Sequence, residues 1–377
     1  MKILIYNPYW SSLGGGEKYI TVLGEVLSQQ GNNVVFLSSD ESISKEKLEK
    51  YFNADLSHVQ FDYVKNFSAL TSYTKDFDIM FSVTNFRAVP SAATKNVYIM
   101  QAPYGTRTYI NILRNIVFGK IKESAKDFFR MRLLERSKHI AGVVVYSQFV
   151  QRTLLHHHNV RSHVLTPPID DFFMEGIKKE KIILSVGRIF AGFYNQKRYD
   201  ITTKAFREIA KDSLAGWEFH IVGSVAKDDA SQKMLEHLLK INEGFPVYFH
   251  LNEPYDKLKE WYNRASIFWH AAGYGVDEEK YPEQTEHFGM STVEAMSAYA
   301  VPVVVNNGGQ KEIVQSGING FLWNTTEELK EFTIHLAQND DVRNLIAQNC
   351  RSRYFLFDRK RFVHDTLRMM ESVVASQ

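Results

Sequence analysis

The chain has one cysteine, Cys350, among 377 residues. A lone thiol closes no intrachain disulfide, which fits a reducing compartment. No apolar run approaches the roughly eighteen residues of a membrane-spanning helix. The opening MKILIYNPYW turns polar too soon for a secretory leader. These absences lead to the expectation of a cytoplasmic protein, dissolved or held on the cytoplasmic face of a membrane. An excess of charge of one sign is lacking too. The balance of 45 basic against 43 acidic residues carries no signature of a nucleic-acid binder or a disordered acidic chain. There is no low-complexity tract.

What is present is a large apolar content, 44% of the residues, in a chain long enough for two cores. Lys2–Asn7 reads as a buried strand. A glycine loop follows, then a helix over Glu17–Gln30 with Tyr19, Ile20, Leu23, Val26 and Leu27 at helical spacing. Val34–Ser38 is the next strand, so the unit is βαβ and its sheet parallel. Ile79–Val83, Val97–Met100 and Ala141–Tyr146 extend the series as far as Thr166-Pro167-Pro168, a linker signal. A second series follows. Strands are expected at Lys181–Val186, Glu218–Val222, Val247–Leu251, Ile267–Ala271 and Val301–Asn306. Helices are expected at Tyr199–Lys211, Tyr255–Arg264, Met290–Tyr299 and Arg359–Val374. Two such α/β domains hold ligands at the carboxyl ends of their strands.

Three constellations sit there. SLGGGEKYI (12–20) opens the first helix with glycines that let backbone approach an anion. It is a poor dinucleotide fingerprint, because Tyr19 stands where the third glycine belongs, although Asp40 after the second strand mimics a ribose-binding acid. A plain turn is the alternative. SVGRIFAGFYNQKR (185–198) brings Gly187 and Arg188 to a strand end and Lys197 and Arg198 to a helix start. Such cations can neutralise a diphosphate; taken alone, a solvated loop explains them equally. EHFGMSTVE (286–294) places Gly289, Met290 and Ser291 at a helix N-terminus, an anion site. Glu294 lies one turn in and leans back towards it. Glu286 stands outside the helix, able to accept hydrogen bonds from sugar hydroxyls. Asn306-Asn307-Gly308-Gly309 with Glu312 repeats the pattern of a glycine loop running into a helix.

With these motifs in this order, over nearly the whole chain, the sequence resembles glycosyltransferases of family 4, with GGGE (14–17), SVGR…KR (185–198), the E-x7-E element of residues 286–294 and NNGGQKEIVQSGINGFLW (306–323). Residues 286–309 also resemble the cytosolic mannosyltransferases that extend dolichol-linked oligosaccharides. The resemblance implies a GT-B fold: two Rossmann-like domains facing each other across a cleft. Residues 1–168 would be the acceptor-side domain, with the helix of 359–377 crossing back to it, and 169–358 the nucleotide-sugar domain. It implies retaining transfer of a hexose from a UDP- or GDP-sugar to a glycan or lipid-linked acceptor by front-face displacement, with no cofactor and no metal. Arg188 and Lys197 would balance the leaving diphosphate, Glu286 would hold the donor sugar, and Glu294 the ribose. Gly15, Gly16, Gly187, Phe288, Gly289, Met290, Ser291 and Gly309 would line the donor.

Two departures stand out. IFAGFYNQ lengthens the arginine-to-lysine spacing. Gln101 stands where many relatives carry a histidine near the donor sugar, and glutamine cannot become a cation. Asp76 and Asp78 form a D-x-D, read here as acids flanking a strand. His156, His157 and His158 point about a hundred degrees apart on a helix and cannot easily share an ion. Residues 101–140 hold nine basic against three acidic residues, interleaved with Phe118, Ile121, Phe128, Phe129, Met131, Leu133 and Leu134. That pattern suits an anionic membrane surface, and equally an amphipathic helix packed on the sheet. Two other functions share the architecture: a nucleotide-sugar epimerase, and a non-catalytic protein that binds a nucleotide sugar or glycan.

Overall fold

The computed structural model describes residues 1–65, 69–84, 89–103, 116, 117, 119, 121, 125, 141–191 and 197–375. Two compact units divide the chain: Met1–Pro168 with Lys360–Gln377, and Ile169–Arg359.

The first unit is built on seven parallel strands: β1 (Lys2–Tyr6), β2 (Asn33–Ser38), β3 (Val59–Tyr63), β4 (Ile79–Val83), β5 (Lys95–Met100), β6 (Gly142–Val145) and β7 (His163–Val164). Their order is β3-β2-β1-β4-β5-β6-β7. At the centre Ile3 pairs with Val34 on one side and Ile79 on the other. Every residue of β4 is buried, as expected of a strand covered on both faces, where apolar residues need not alternate with polar ones. Helices α1 (Gly15–Gln29), α2 (Lys45–Phe52) and α3 (Gln148–His158) connect the strands. Ser44 and Ser147 cap the last two by accepting the N–H of Lys47 and of Val150. The C-terminal helix, Arg359–Ala375, contributes Phe362, whose ring lies edge-on to Tyr19 at 5.4 Å. Lys95 Nζ donates to the carbonyls of Val373 (3.0 Å) and Val374 (2.6 Å) near its end. A cation on the last carbonyls is the favourable sign for a helix C-terminus.

The second unit has six parallel strands: β8 (Glu180–Val186), β9 (Glu218–Gly223), β10 (Val247–Leu251), β11 (Ala265–His270), β12 (Val301–Val305) and β13 (Phe321–Trp323), in the order β10-β9-β8-β11-β12-β13. Its helices are α4 (Tyr199–Ile209), α5 (Asp229–Ile241), α6 (Tyr255–Arg264), α7 (Met290–Ser297), α8 (Thr326–Gln338) and α9 (Asp340–Tyr354). Trp269 anchors the core beside Phe219, 5.2 Å between centroids, and its indole N–H donates to Thr333 Oγ1 at 2.9 Å. Burying one such ring contributes about 1.5–3 kcal/mol.

In each sheet the strand order reverses once, between β1 and β4 and between β8 and β11. Connections leave those strands towards opposite faces, which opens a crevice at their carboxyl ends. The sequence motifs fall at these ends. β3, β7 and β13 are additions to the sequence reading. β3 is an edge strand with a mixed burial pattern, and β7 and β13 have two and three residues, too few to show a period. Asp78 accepts the Lys2 N–H at 2.7 Å, so this acid of the D-x-D serves the β1–β4 pairing. His156, His157 and His158 form the last turn of α3.

Candidate functional site

The switch point of the second sheet assembles the cationic motif. β8 ends at Val186, and Gly187 donates its N–H to the Val222 carbonyl at 3.0 Å. A side chain on Gly187 would displace Lys197. A Cβ there would lie 2.8 Å from Lys197 Cε and 2.9 Å from Cγ. The aliphatic stem of Lys197 therefore runs across the bare glycine, which is how a lysine ten positions along the chain returns to the strand end. Arg188, exposed, and Lys197 line one cavity of about 300 Å³ with Phe190, Arg198 and Tyr199. Arg198 is committed elsewhere: its guanidinium forks onto Asp200 and donates to the Tyr274 carbonyl at 2.9 Å. Of the cations that line this cavity, Arg198 is thus bound to its own helix start and to Tyr274, while Lys197 is paired with Glu286. Gly187→Ala should push Lys197 aside at an overpacking cost of about 1–3 kcal/mol. Affinity for a nucleoside diphosphate, read by titration, should fall about tenfold or more while the chain stays folded; unchanged affinity would show that Lys197 need not lie over Gly187.

Lys197 closes a triangle with two other side chains. Its Nζ donates to Glu286 Oε2 at 2.7 Å and lies 3.2 Å from His270 Nε2, which is itself 3.0 Å from the same oxygen. His270 is the last residue of β11 and is 2% exposed. Burial pushes the Glu286 carboxyl up, but the charge of Lys197 and the hydrogen bonds with His270 and Lys197 outweigh it and hold the group well below the usual carboxylate range. Burial and then the Lys197 charge push the His270 imidazole below its ordinary value, with Glu286 pulling the other way.

Glu286 reaches this place through two glycine loops packed backbone to backbone. Gly309 donates its N–H to the Glu286 carbonyl at 2.7 Å, and a Cβ on Gly309 would lie 2.5 Å from Phe288 Cα. That N–H belongs to the loop contact, so Gly309 supports Glu286 rather than offering a donor to a ligand. The Phe288 side chain is likewise withdrawn: it is 2% exposed and packs on Phe357 at 5.6 Å. Gly289 has φ 117° and begins α7 with no side-chain cap and no acid in the first turn. Met290 and Ser291 form that first turn, half-buried, so the helix N-terminus offers backbone N–H groups to an anion. Glu294 is held one turn in by the hydroxyl of Tyr262, donating to Oε2 at 2.8 Å. Tyr262 is fully buried. Burial first, and then Glu294, raise its phenol far above the usual value, so it remains a donor.

The first unit organises its own motif. Glu17, 3% exposed, accepts the Gly14 N–H at 2.9 Å, the Asn7 amide at 3.2 Å and the Ser12 hydroxyl. It shapes the loop from inside while Gly15 stays exposed at the start of α1. A Cβ on Gly16 would lie 2.7 Å from both Gln101 Nε2 and Oε1. The structure therefore brings Gly16 and Gln101 together, as neighbours at the ends of α1 and β5.

Sequence reasoning did not single out His270 or Tyr262. His270 is a polar residue that ends an apolar strand beside the crevice, which is the signal that could have found it; Tyr262 lies in the polar helix YDKLKEWYNR and gives no such signal. Among the described residues no group of three or more His, Cys, Asp or Glu is arranged to hold a metal ion. Among them too, no helix is long and apolar enough to cross a membrane. Most of residues 101–140 lies outside the described residues.

With this geometry in place, the chain can be compared with known proteins. Residues 169–353, a little under half of the chain, match the family Glycosyl transferases group 1. Solved structures agree over the full length. A glycosyltransferase from Rickettsia africae superposes with a TM-score of 0.71 at 15% identity, covering 100% of this chain and 99% of the other. Anabaena HepE, crystallised with UDP-glucose, gives 0.71 at 15% identity and covers 99% and 100%. The fold is GT-B. In sequence, the chain is similar to the human GDP-Man:Man(3)GlcNAc(2)-PP-Dol alpha-1,2-mannosyltransferase, 25% identical over 221 residues, which are 53% of this chain and 42% of the human protein. The chain thus spans less than half the length of that relative in the match.

Proposed function

We propose that the protein is a retaining glycosyltransferase that moves a hexose from a UDP- or GDP-sugar to a glycan or lipid-linked acceptor. The observation that carries this reading is the meeting of Arg188 and Lys197 in one cavity that follows β8, with Lys197 ion-paired to Glu286. Glycosyl transfer leaves negative charge on the departing diphosphate, and preorganised cations and N–H dipoles act where that charge develops. Arg188 offers a planar fork and Lys197 a mobile point charge. The N-terminus of α7 adds backbone donors from Met290 and Ser291, and Glu294 takes the ribose hydroxyls. Glu286 takes the sugar hydroxyls. No protein nucleophile is needed: the leaving phosphate accepts the acceptor's proton on the same face. No metal enters this scheme, since the two cations and the helix terminus supply the positive charge.

The second unit would hold the donor and the first unit the acceptor. Likeness to the human mannosyltransferase favours GDP-mannose as donor and a lipid-linked acceptor. The basic residues of 101–140 suit an anionic membrane surface, and Ile116, Val117 and Ile121, apolar residues of that segment, are exposed. A thermal-shift panel of UDP, GDP, ADP and dTDP with their hexose conjugates tests the donor. One nucleotide at a hundred times its dissociation constant should stabilise the chain by about 2.7 kcal/mol. The absence of a shift with every nucleotide would overturn the reading. Sugar isomerised without an acceptor would identify an epimerase instead.

A further inference from the structure

The triangle of Lys197, His270 and Glu286 has too few protons in the right places when His270 is neutral. If Nε2 accepts from Lys197 at 3.2 Å, its lone pair also faces the Glu286 carboxylate at 3.0 Å. If Nε2 carries hydrogen towards Glu286, that hydrogen faces the ammonium. The arrangement holds together through the Lys197–Glu286 bond of 2.7 Å. Its members differ in freedom. His270 is fixed at the end of a buried strand. Lys197 hangs on a four-carbon stem laid over bare Gly187, and its side chain is 16% exposed. Lys197 is the member that can turn away. The charged groups acting on the His270 ring are Lys197, from the loop before α4, and Glu286, from the loop before α7.

We infer that His270 is a positioning residue that exchanges Lys197 for a proton. When Lys197 turns to the diphosphate of the donor, a proton from solvent enters between His270 Nε2 and Glu286 Oε2, and the new hydrogen bond keeps Glu286 directed at the sugar. Both electrostatic changes favour that proton: a cation leaves the imidazole and an anion arrives nearby. Without it, Glu286 would lose its strongest partner at the moment it is needed. His270 Nδ1 is buried without a partner. In the Nδ1–H tautomer it already carries its hydrogen, and the entering proton goes to Nε2, where the carboxylate waits. The inference rests on the donor reading above. It adds that donor binding is linked to proton uptake, so affinity rises as pH falls.

Calorimetric titration of the intact chain with GDP-mannose and with UDP-glucose tests this. It is run in two buffers of contrasting ionisation enthalpy between pH 6 and 8. The diphosphate of a nucleotide sugar does not itself titrate in this range, so buffer-dependent heat reports the protein. Wild type should take up a measurable fraction of a proton, up to one, and bind up to about tenfold more tightly per unit fall in pH, the limit for one linked proton. His270→Gln keeps an N–H donor for Glu286 but cannot titrate. It should bind with no uptake and a flat pH profile, and His270→Ala should bind more weakly than either. Should the glutamine variant not fold, the two-buffer result on wild type still decides. Binding without uptake in wild type, or uptake retained in His270→Gln, overturns the inference and leaves the donor reading standing. Binding of no nucleotide sugar, here or in the thermal-shift panel, overturns both.

Discussion

Lys197→Ala is expected to lower the turnover number for sugar transfer by about 10²–10³-fold, the loss seen when one preorganised group that stabilises developing charge is removed. It should also destabilise the chain. Lys197 and Glu286 are 16% and 12% exposed as side chains; removing one partner of a sheltered pair costs up to about 3–5 kcal/mol, and a proton taken up between His270 and Glu286 offsets part of it. The two effects can be separated. In Lys197→Met with Glu286→Gln neither charge remains, so most of the stability should return while transfer stays low. Chemical denaturation midpoints and initial rates on wild type, Lys197→Met, Glu286→Gln and the double variant complete the cycle. If the double variant recovered its rate with its stability, Lys197 would be a packing residue and not a partner of the leaving group.

Glu294→Ala is expected to weaken nucleotide-sugar binding roughly tenfold to a hundredfold, matching about 1.5–3 kcal/mol for hydrogen bonds to a charged group. The carboxylate is anchored by Tyr262 at 2.8 Å and sits one turn into α7. Tyr262→Phe removes the anchor and keeps the carboxylate, so it should produce a smaller loss of affinity. Titration of the donor into all three proteins gives the comparison. A ligand lacking the ribose hydroxyls should bind wild type and Glu294→Ala equally. Equal affinity of wild type and Glu294→Ala for the complete donor would mean that Glu294 serves Tyr262 and the core, and the ribose assignment would fall.

Much of the site was legible because parallel sheets place ligand loops after strands. Gly187-Arg188 could be found at a strand end from the apolar run before it, and the EHFG turn from its glycine and the helical run that follows. Their partners were less visible. Lys197 and Glu286 are 89 positions apart, and no local pattern announces their ion pair. His270 closes the run ASIFWH, where a residue-by-residue reading sees the end of a strand. The roles of Phe288 and Gly309 depend on two loops packing backbone to backbone, a tertiary fact without a periodic signature. Short edge strands such as β7 are held by pairing with a neighbour, not by any pattern of their own. The long arginine-to-lysine insertion cast doubt on Lys197 in sequence; the bare surface of Gly187 resolves how the lysine returns.

The central claim is that a diphosphate binds where Arg188, Lys197 and the start of α7 offer positive charge. A crystal structure of the intact chain with the nucleoside diphosphate selected by the thermal-shift panel tests it most directly. The predicted result is phosphate oxygens within hydrogen-bonding distance of Arg188, Lys197 and the backbone N–H groups of Met290 or Ser291, with Lys197 Nζ withdrawn from Glu286. A nucleotide bound at any other place, with Lys197 still on Glu286, would contradict the account.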